Sequence, residues 1–300
     1  GYFGIIMTNF AVFINPGFAD KENIFDLLSR LQAEDKAISA RGKELVFFGD
    51  KTQNGILRPP IRLMDFEAST GLPAIDCILV FGGDGSILRA KELALKTGAP
   101  ILGINLGYLG FLSESTLPEI KASIRDLVLG RYRILSRMLI TCSVKRKSKT
   151  ILKCEALNDI VIHKGENPGL IQVRIYATGR YVFDTRCDGV IICTPTGSTA
   201  YSLSAGGPIL APQMKAMVLS PLNPHLLTIR PMVFPAEEKL GLKVHALREP
   251  AWLQVDGINS IQIYEGDELT ITASPQNVNF IKLSKRTFFR ILRNKLHLGK

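Results

Sequence analysis

A nearly unbroken apolar run, Ile75–Phe81, ends on Gly82-Gly83-Asp84-Gly85-Ser86 and passes into a helical pattern that stops near Gly98. A strand with almost no polar alternation must be covered on both faces, which is the condition of a strand inside a parallel sheet. The segments around it keep the same rhythm. Phe10–Ile14 reads as a strand closed by Asn15-Pro16-Gly17. Asp20 can cap a helix whose Ile24, Leu27, Leu28 and Leu31 share one face. Glu44–Phe48 and Ile101–Ile104 are further strands, with a loop through Asn54-Gly55 and Pro59-Pro60. Ser86 is a candidate cap for the helix after the glycines. Pro118 suits the first turn of a helix that Gly130 ends. The expectation for residues 1–130 is an α/β domain with an open parallel sheet.

After Arg131 the period changes to two. Ile171, Val173 and Ile175 alternate, Thr178-Gly179 turns the chain, and Tyr181 and Phe183 alternate back. Ile261–Tyr264 and Leu269–Ala273 read as a second hairpin around Glu265-Gly266-Asp267. Residues 131–281 are therefore expected to form a β-rich, mostly antiparallel domain. A basic tail, 282–300, carries Phe288, Phe289, Ile291, Leu292 and Leu296, enough for a packing face. It is expected to dock on a neighbour rather than act as a nucleic-acid arm.

Charge supports that reading. The net charge of +10 comes from 37 basic and 27 acidic residues, and seven of the basic ones lie in the tail. The remainder is close to balance, which excludes a broad nucleic-acid surface and suits small polyanionic ligands. No apolar run approaches the ~20 residues of a membrane helix, and no leader is read at Gly1–Met7. Five unpaired-looking cysteines, 77, 142, 154, 187 and 193, point to reduced core thiols and a cytoplasmic protein. No metal-ligand spacing exists among the scattered histidines.

Four motifs carry chemistry. Glycines at 82–85 let main-chain amides approach an anion at a helix N-terminus. A carboxylate there would repel phosphate, so Asp84 accepts a proton from an attacking hydroxyl, holds a metal ion, or is structural. No G-K-[ST] follows, so this is not a P-loop, and it is not the G-x-G-x-x-G of dehydrogenases. Asn105-Leu106-Gly107-Tyr108-Leu109-Gly110-Phe111-Leu112 reads as a tight loop. Asn105 is its candidate ligand contact, and Leu109, Phe111 and Leu112 are read as an apolar cover. Asn158-Asp159 suits ribose hydroxyls or a plain strand-start turn. In the long run from Asp188 to Pro208 a buried strand leads into residues that are mostly small, hydroxylic or glycine. These have little to bury and much to hydrogen-bond, and Tyr201 can stack on a base.

The four blocks, in this order, resemble the NAD kinases. The resemblance implies a Rossmann-like α/β N-terminal domain, a mostly antiparallel β-rich C-terminal domain and an active site between them. It also implies a final segment that returns to the first domain, and a homodimer or homotetramer. ATP or polyphosphate would be the donor, NAD the acceptor at the 2′-hydroxyl of its adenosine ribose, and a divalent cation, usually Mg²⁺, the helper. By this resemblance Asp84 is the proton acceptor, with Gly85 beside it and Arg89 one turn on. Asn158 and Asp159 contact NAD, as do Arg186 and Asp188, and Thr199, Ala200, Tyr201, Ser202, Leu203 and Ser204 form the nucleotide loop. Ile258, after Asp256-Gly257, departs from a glutamine frequent in the family; Asn259 or Gln254 could replace that contact. A lipid or sugar kinase with a G-G-D-G loop and a non-catalytic NADP sensor are the competing readings. No membrane or nucleic-acid partner is expected.

Overall fold

The computed structural model describes residues 5–34, 44–53, 55–67, 71–107, 110–166, 168–245 and 249–297. The chain divides into two compact units, Gly1–Ser136 with Val278–Lys300, and Arg137–Asn277.

In the first unit β1 (Asn9–Ile14) is followed by α1 (Lys21–Glu34), β2 (Val46–Asp50), β3 (Ile61–Met64) and β4 (Cys77–Phe81). Then come α2 (Asp84–Thr97), β5 (Ile101–Asn105), β6 (Ser113–Thr116) and α3 (Ile120–Val128). The strands run in the order β6-β5-β4-β1-β2-β3, every pair parallel. All five residues of β4 are buried, because helices cover both faces. Its core joins Phe10, Val12, Leu79 and Phe81 to Ile24 and Leu28 of α1 and to Ile120, Ile124 and Leu127 of α3. Gly98 ends α2 in the left-handed conformation, φ 72°. Two short strands, β3 and β6, escape the apolar pattern. β3 is an edge strand with two exposed residues, and β6 reads Ser-Glu-Ser-Thr, yet three of its four residues are buried.

Strand β7 (Arg133–Arg146) leads into the second unit and pairs with β8 (Lys149–Ala156). There follow β9 (Asp159–His163), β10 (Ile171–Ala177), β11 (Arg180–Cys187), β12 (Gly189–Cys193), α4 (Tyr201–Ser204), β13 (Ala216–Leu222) and β14 (Met232–Pro235). Then come β15 (Leu240–His245), β16 (Ala251–Val255), β17 (Asn259–Ile263) and β18 (Glu268–Lys282). One antiparallel sheet has the order β14-β13-β12-β9-β16-β17, and β11-β10-β15-β18, with β7 and β8 beside β18, lie antiparallel in another. Their facing side chains, among them Ile160, Ile162 and Val190 against Val173, Leu242 and Ile271, make one core. The opposite side chains of β9 and β12, Val161, Ile191 and Cys193, are buried by Leu210 and its neighbours. That is why both strands read as continuous apolar runs rather than alternating ones.

The hairpin expected at 261–273 does not form. β17 pairs with β16 in one sheet, whereas β18 pairs with β15 in the other. Both strands alternate inward and outward, so their pattern cannot reveal which neighbour each takes. The turn instead carries the chain between sheets, around Asp267. This carboxylate is 1% exposed, receives Nε and Nη2 of Arg146 at 2.9 and 2.7 Å, and takes the Tyr264 N–H at 2.9 Å. The chain then returns to the first unit and ends in α5 (Phe288–Leu296), whose Thr287 hydroxyl accepts the Arg290 N–H.

Burial works against the Asp267 carboxylate, but Arg146 and the Tyr264 amide outweigh it and hold its pKa below the usual range. Its stabilisation is therefore present above about pH 4 and lost as pH falls through the lowered value. Asp267→Ala removes the buried acceptor but leaves Arg146 solvent access and the Gln262 carbonyl, so it should cost about 1–3 kcal/mol in urea unfolding at pH 7. The difference from the parent should narrow in acid.

Candidate functional site

The two units contribute separate groups. In the first, the carboxyl ends of β1, β4 and β5 meet: the Asn15 N–H reaches the Phe81 carbonyl and the Gly82 N–H the Ile104 carbonyl, both at 2.9 Å. This end of a parallel sheet is where open α/β folds place ligands. The helix cap is Gly83 and not Ser86. Ser86 lies inside the first turn, its N–H on the Gly83 carbonyl at 3.0 Å, and its hydroxyl packs so closely on Gly82 that a Cβ there would lie 2.4 Å away.

Asp84 opens α2 and is half-buried. Its Oδ2 accepts the Phe111 N–H at 2.9 Å and its Oδ1 the Leu112 N–H at 3.2 Å. The backbone is pressed against it: a Cβ on Gly110 would come 2.0 Å from Oδ1. Glycine is needed there for close approach. Gly85 is exposed, with open space where a side chain would stand, and Arg89 is exposed on α2. Asn105 is buried; its Oδ1 takes the Gly107 N–H at 2.7 Å, while its Nδ2 is buried with no hydrogen-bond partner among the described residues. Phe111 and Leu112 are partly buried, and Leu109 and Tyr108 lie outside the described residues.

In the second unit Asn158 and Asp159 sit at the start of β9, held from two sides. Asp256 accepts the main-chain N–H groups of Leu157, Asn158 and Asp159 at 2.9, 2.7 and 3.2 Å. Its own N–H returns to the Asp159 carbonyl at 2.9 Å. From the other side the Thr194 N–H reaches the Asn158 carbonyl at 2.9 Å, and the Thr194 hydroxyl bonds the Leu157 carbonyl. The Gly197 N–H then bonds Thr194 Oγ1 at 3.1 Å. A Cβ on Gly197 would lie 2.0 Å from the Asn158 carbonyl oxygen, so the loop after β12 rests directly on the Asn158 backbone.

Asp159 is 6% exposed, and its carboxylate accepts no hydrogen bond among the described residues. Burial, and then the charge of Asp256, push its pKa up to about 7. Beyond Gly197 the loop alternates its loyalties. Thr199, Ala200 and Leu203 are partly buried, and Tyr201 and Ser204 are exposed. Ser202 turns inward, fully buried, with its hydroxyl 2.9 Å from that of Ser220.

Arg186 and Asp188 stand elsewhere. They precede β12, whereas Asp159 pairs with Cys193 at its far end, so about 16 Å of strand separates Asp188 from Asp159. Asp188 bonds Lys164 Nζ and Asn223 Nδ2, each at 2.8 Å, and these hydrogen bonds hold its pKa below the ordinary value. Arg186 is exposed, and its carbonyl takes the His225 N–H at 2.8 Å. A cavity of about 540 Å³ near this end is lined by Gly206, Asn223, Pro224, Ile229 and Arg230, among others. Ile258 is exposed, Gln254 is partly buried within β16, and the Asn259 side chain lies outside what the structure describes. Motif reading did not give Asp256 its bracing role; the Asp-Gly turn after a strand was its only signal. Among the described residues no group of three or more His, Cys, Asp or Glu side chains could hold a metal ion.

An α/β unit with a carboxylate at the carboxyl end of its parallel sheet is joined to a β-rich unit with a glycine- and hydroxyl-rich loop, and solved dinucleotide kinases share this fold. The chain superposes on yeast NADH kinase complexed with NADH with a TM-score of 0.85 at 24% identity, over 98% of this chain and 89% of that one. It matches an NAD kinase from Archaeoglobus fulgidus in complex with ATP at 0.69 and 24%, over 96% and 98%. Sequence narrows the class. Residues 65–132 match the ATP-NAD kinase N-terminal domain and residues 157–283 the ATP-NAD kinase C-terminal domain. The NAD kinase of Moorella thermoacetica is 42% identical over 75% of this chain and 72% of its own length. That of Protochlamydia amoebophila is 43% identical over 72% and 76%. The chain belongs to the NAD kinase family.

The raised pKa of Asp159 has a testable sign. The folded protein holds this proton up to about pH 7, whereas an unfolded aspartate releases it near pH 3.9. Stability therefore falls as pH rises from about 4 to 7 and levels off above. In Asp159→Asn that slope should be lost, so the variant gains on the parent between pH 5 and pH 8 in urea melts. Parallel curves would show that Asp159 is already ionised across this range.

Proposed function

We propose that the chain phosphorylates NAD to NADP by direct in-line transfer to the 2′-hydroxyl of the adenosine ribose, with Asp84 as the proton acceptor. NAD kinase activity follows from the family; the roles of residues are our reading. The observation that carries it is the Asp84 carboxylate, fixed in one orientation by two main-chain donors at a helix N-terminus, beside the open backbone of Gly85. Such a group is oriented before substrate arrives, as a general base requires. Amides of the first turn of α2 face the transferring phosphoryl group and offset its charge, and Arg89 adds a cation. Asn158 and Asp159 take ribose hydroxyls, Tyr201 offers its exposed ring to the base, and Thr199–Ser204 supply main-chain and hydroxyl contacts. Ser202 contributes through its backbone only, since its hydroxyl is spent on Ser220. Arg186 and Asp188, distant along β12, contact a different part of the ligand from Asn158.

The parallel sheet of the first unit is Rossmann-like on this reading. The donor is ATP or polyphosphate. A divalent cation, Mg²⁺ by preference, would be carried on the phosphates, where it neutralises their charge. The buried free thiols of Cys77, Cys142, Cys187 and Cys193 suit a cytoplasmic protein. No helix is long and apolar enough to cross a membrane among the described residues.

Asp84→Asn should lower turnover at least ~10²-fold while NAD binding is retained. Chromatography of NADP formed from NAD, ATP and Mg²⁺, with calorimetry for binding, tests this. Near-normal turnover would remove Asp84 from the role. The same assay with polyphosphate and with NADH fixes donor and acceptor range, and no NADP from any donor would leave only a binding protein.

The proposal includes a homodimer or homotetramer. β14 is an edge strand whose Met232 and Val233 are exposed, and Leu226 and Leu227 nearby are 53% and 85% exposed. Such an apolar edge invites burial by a second copy. Leu227→Glu should shift sedimentation toward the monomer, and a parent that sediments as a monomer would overturn the idea.

A further inference from the structure

The segment that holds Asp84 is itself gripped from behind. Phe111, whose N–H bonds Asp84 Oδ2, has its ring 6.3 Å from that of Phe288 and 4.9 Å from Lys295 Nζ. Phe288 and Lys295 lie two turns apart on α5, hence on one face. Phe289 packs edge-on against Phe288 at 5.5 Å, and Ile291 and Leu292 are buried beneath the helix.

Three residues past Phe111 the grip becomes ionic. Glu114 is 7% exposed and accepts Lys282 Nζ at 2.6 Å and the N–H groups of Leu283 and Ser284 at 3.0 and 2.5 Å. Arg286 Nη2 donates to the Glu114 carbonyl at 2.6 Å. The segment 110–114 is thus clasped between Asp84 on one side and residues 282–295 on the other. The amides of Phe111 and Leu112 cannot shift without moving Phe288 or pulling on the Glu114 cluster.

We infer that the C-terminal helix is a positioning element for phosphoryl transfer: Phe288 and Lys295 hold Phe111 so that its amide, with that of Leu112, keeps Asp84 in one orientation. The inference rests on Asp84 being the proton acceptor. Phe288 and Lys295 act on Asp84 only through Phe111. Because small misplacements of reacting groups cost up to about 10²-fold in rate, the effect belongs in turnover rather than in substrate affinity.

The test uses the full chain. In Phe288→Ala, kcat should fall about tenfold with KM for NAD and for ATP within about twofold, as expected when geometry rather than uniform binding is lost. Phe288→Tyr, which keeps the ring, should restore turnover. Hydrogen–deuterium exchange should quicken at Phe111 and Leu112 but not in β4. Lys295→Met, an exposed change that keeps the aliphatic stem, should show the same pattern more weakly and serves if Phe288→Ala fails to fold. Unchanged exchange at Phe111 and Leu112 in both variants would overturn the clasp. So would faster exchange with unchanged kcat, or a kcat loss that Phe288→Tyr does not rescue. Asp84→Asn separates the two readings: if that variant turns over normally, the proton-acceptor role fails, whereas if it is inactive and Phe288→Ala is not impaired, only the positioning role fails.

Discussion

Carboxylates that accept main-chain N–H groups fix the backbone of the candidate site in each unit. Asp84 takes two amides from the segment after β5, and Asp256 takes three from the segment before β9. A carboxylate is acceptor-only and can take several donors at once, so one side chain fixes a stretch of backbone that would otherwise be a free loop. Asp76 does the same for the N–H groups of Thr8 and Asn9, and Glu114 for those of Leu283 and Ser284. Each such bond spans a long stretch of sequence, which makes it a tertiary constraint rather than a turn.

Close backbone approach is the second half of the same device. Gly110 and Gly197 stand where any side chain would strike the Asp84 carboxylate or the Asn158 carbonyl. The glycines of the motifs therefore serve two purposes. Gly85 faces open space, whereas Gly110 and Gly197 leave room for the protein itself. The same distinction runs through the hydroxyls. Thr194, Ser198 and Ser202 spend theirs on the fold, and Tyr201 and Ser204 face outward.

Much of this architecture was legible beforehand. The parallel strands around Phe10, Leu79 and Ile104, the helix ending at Gly98 and the hairpin around Thr178-Gly179 all follow from local pattern, because burial on two faces, on a stripe or on one face leaves a distinct periodicity. Strands β3 and β6 were not legible, since four residues of mixed polarity carry no period. The pairing of β17 and β18 was misread because adjacency in sequence makes a hairpin the simplest partner, while Asp267 and its bond to Arg146 turn the chain to another sheet. Ser86 was misread as a cap because a serine before an apolar stripe fits that role, but the helix begins two residues earlier.

The sequence alone determined which residue types stand at which sheet ends, and with them the family, because a carboxylate among glycines and a hydroxyl-rich loop after a buried strand keep their order in the chain whatever the packing. Only the tertiary structure decided which of those groups are spent on the protein and which remain for a ligand. That choice depends on partners far away in sequence: Phe111 for Asp84, Asp256 for Asn158 and Asp159, Ser220 for Ser202. Local pattern cannot encode such partners, since each hydrogen bond exists only where two distant backbones have already been brought together by their cores.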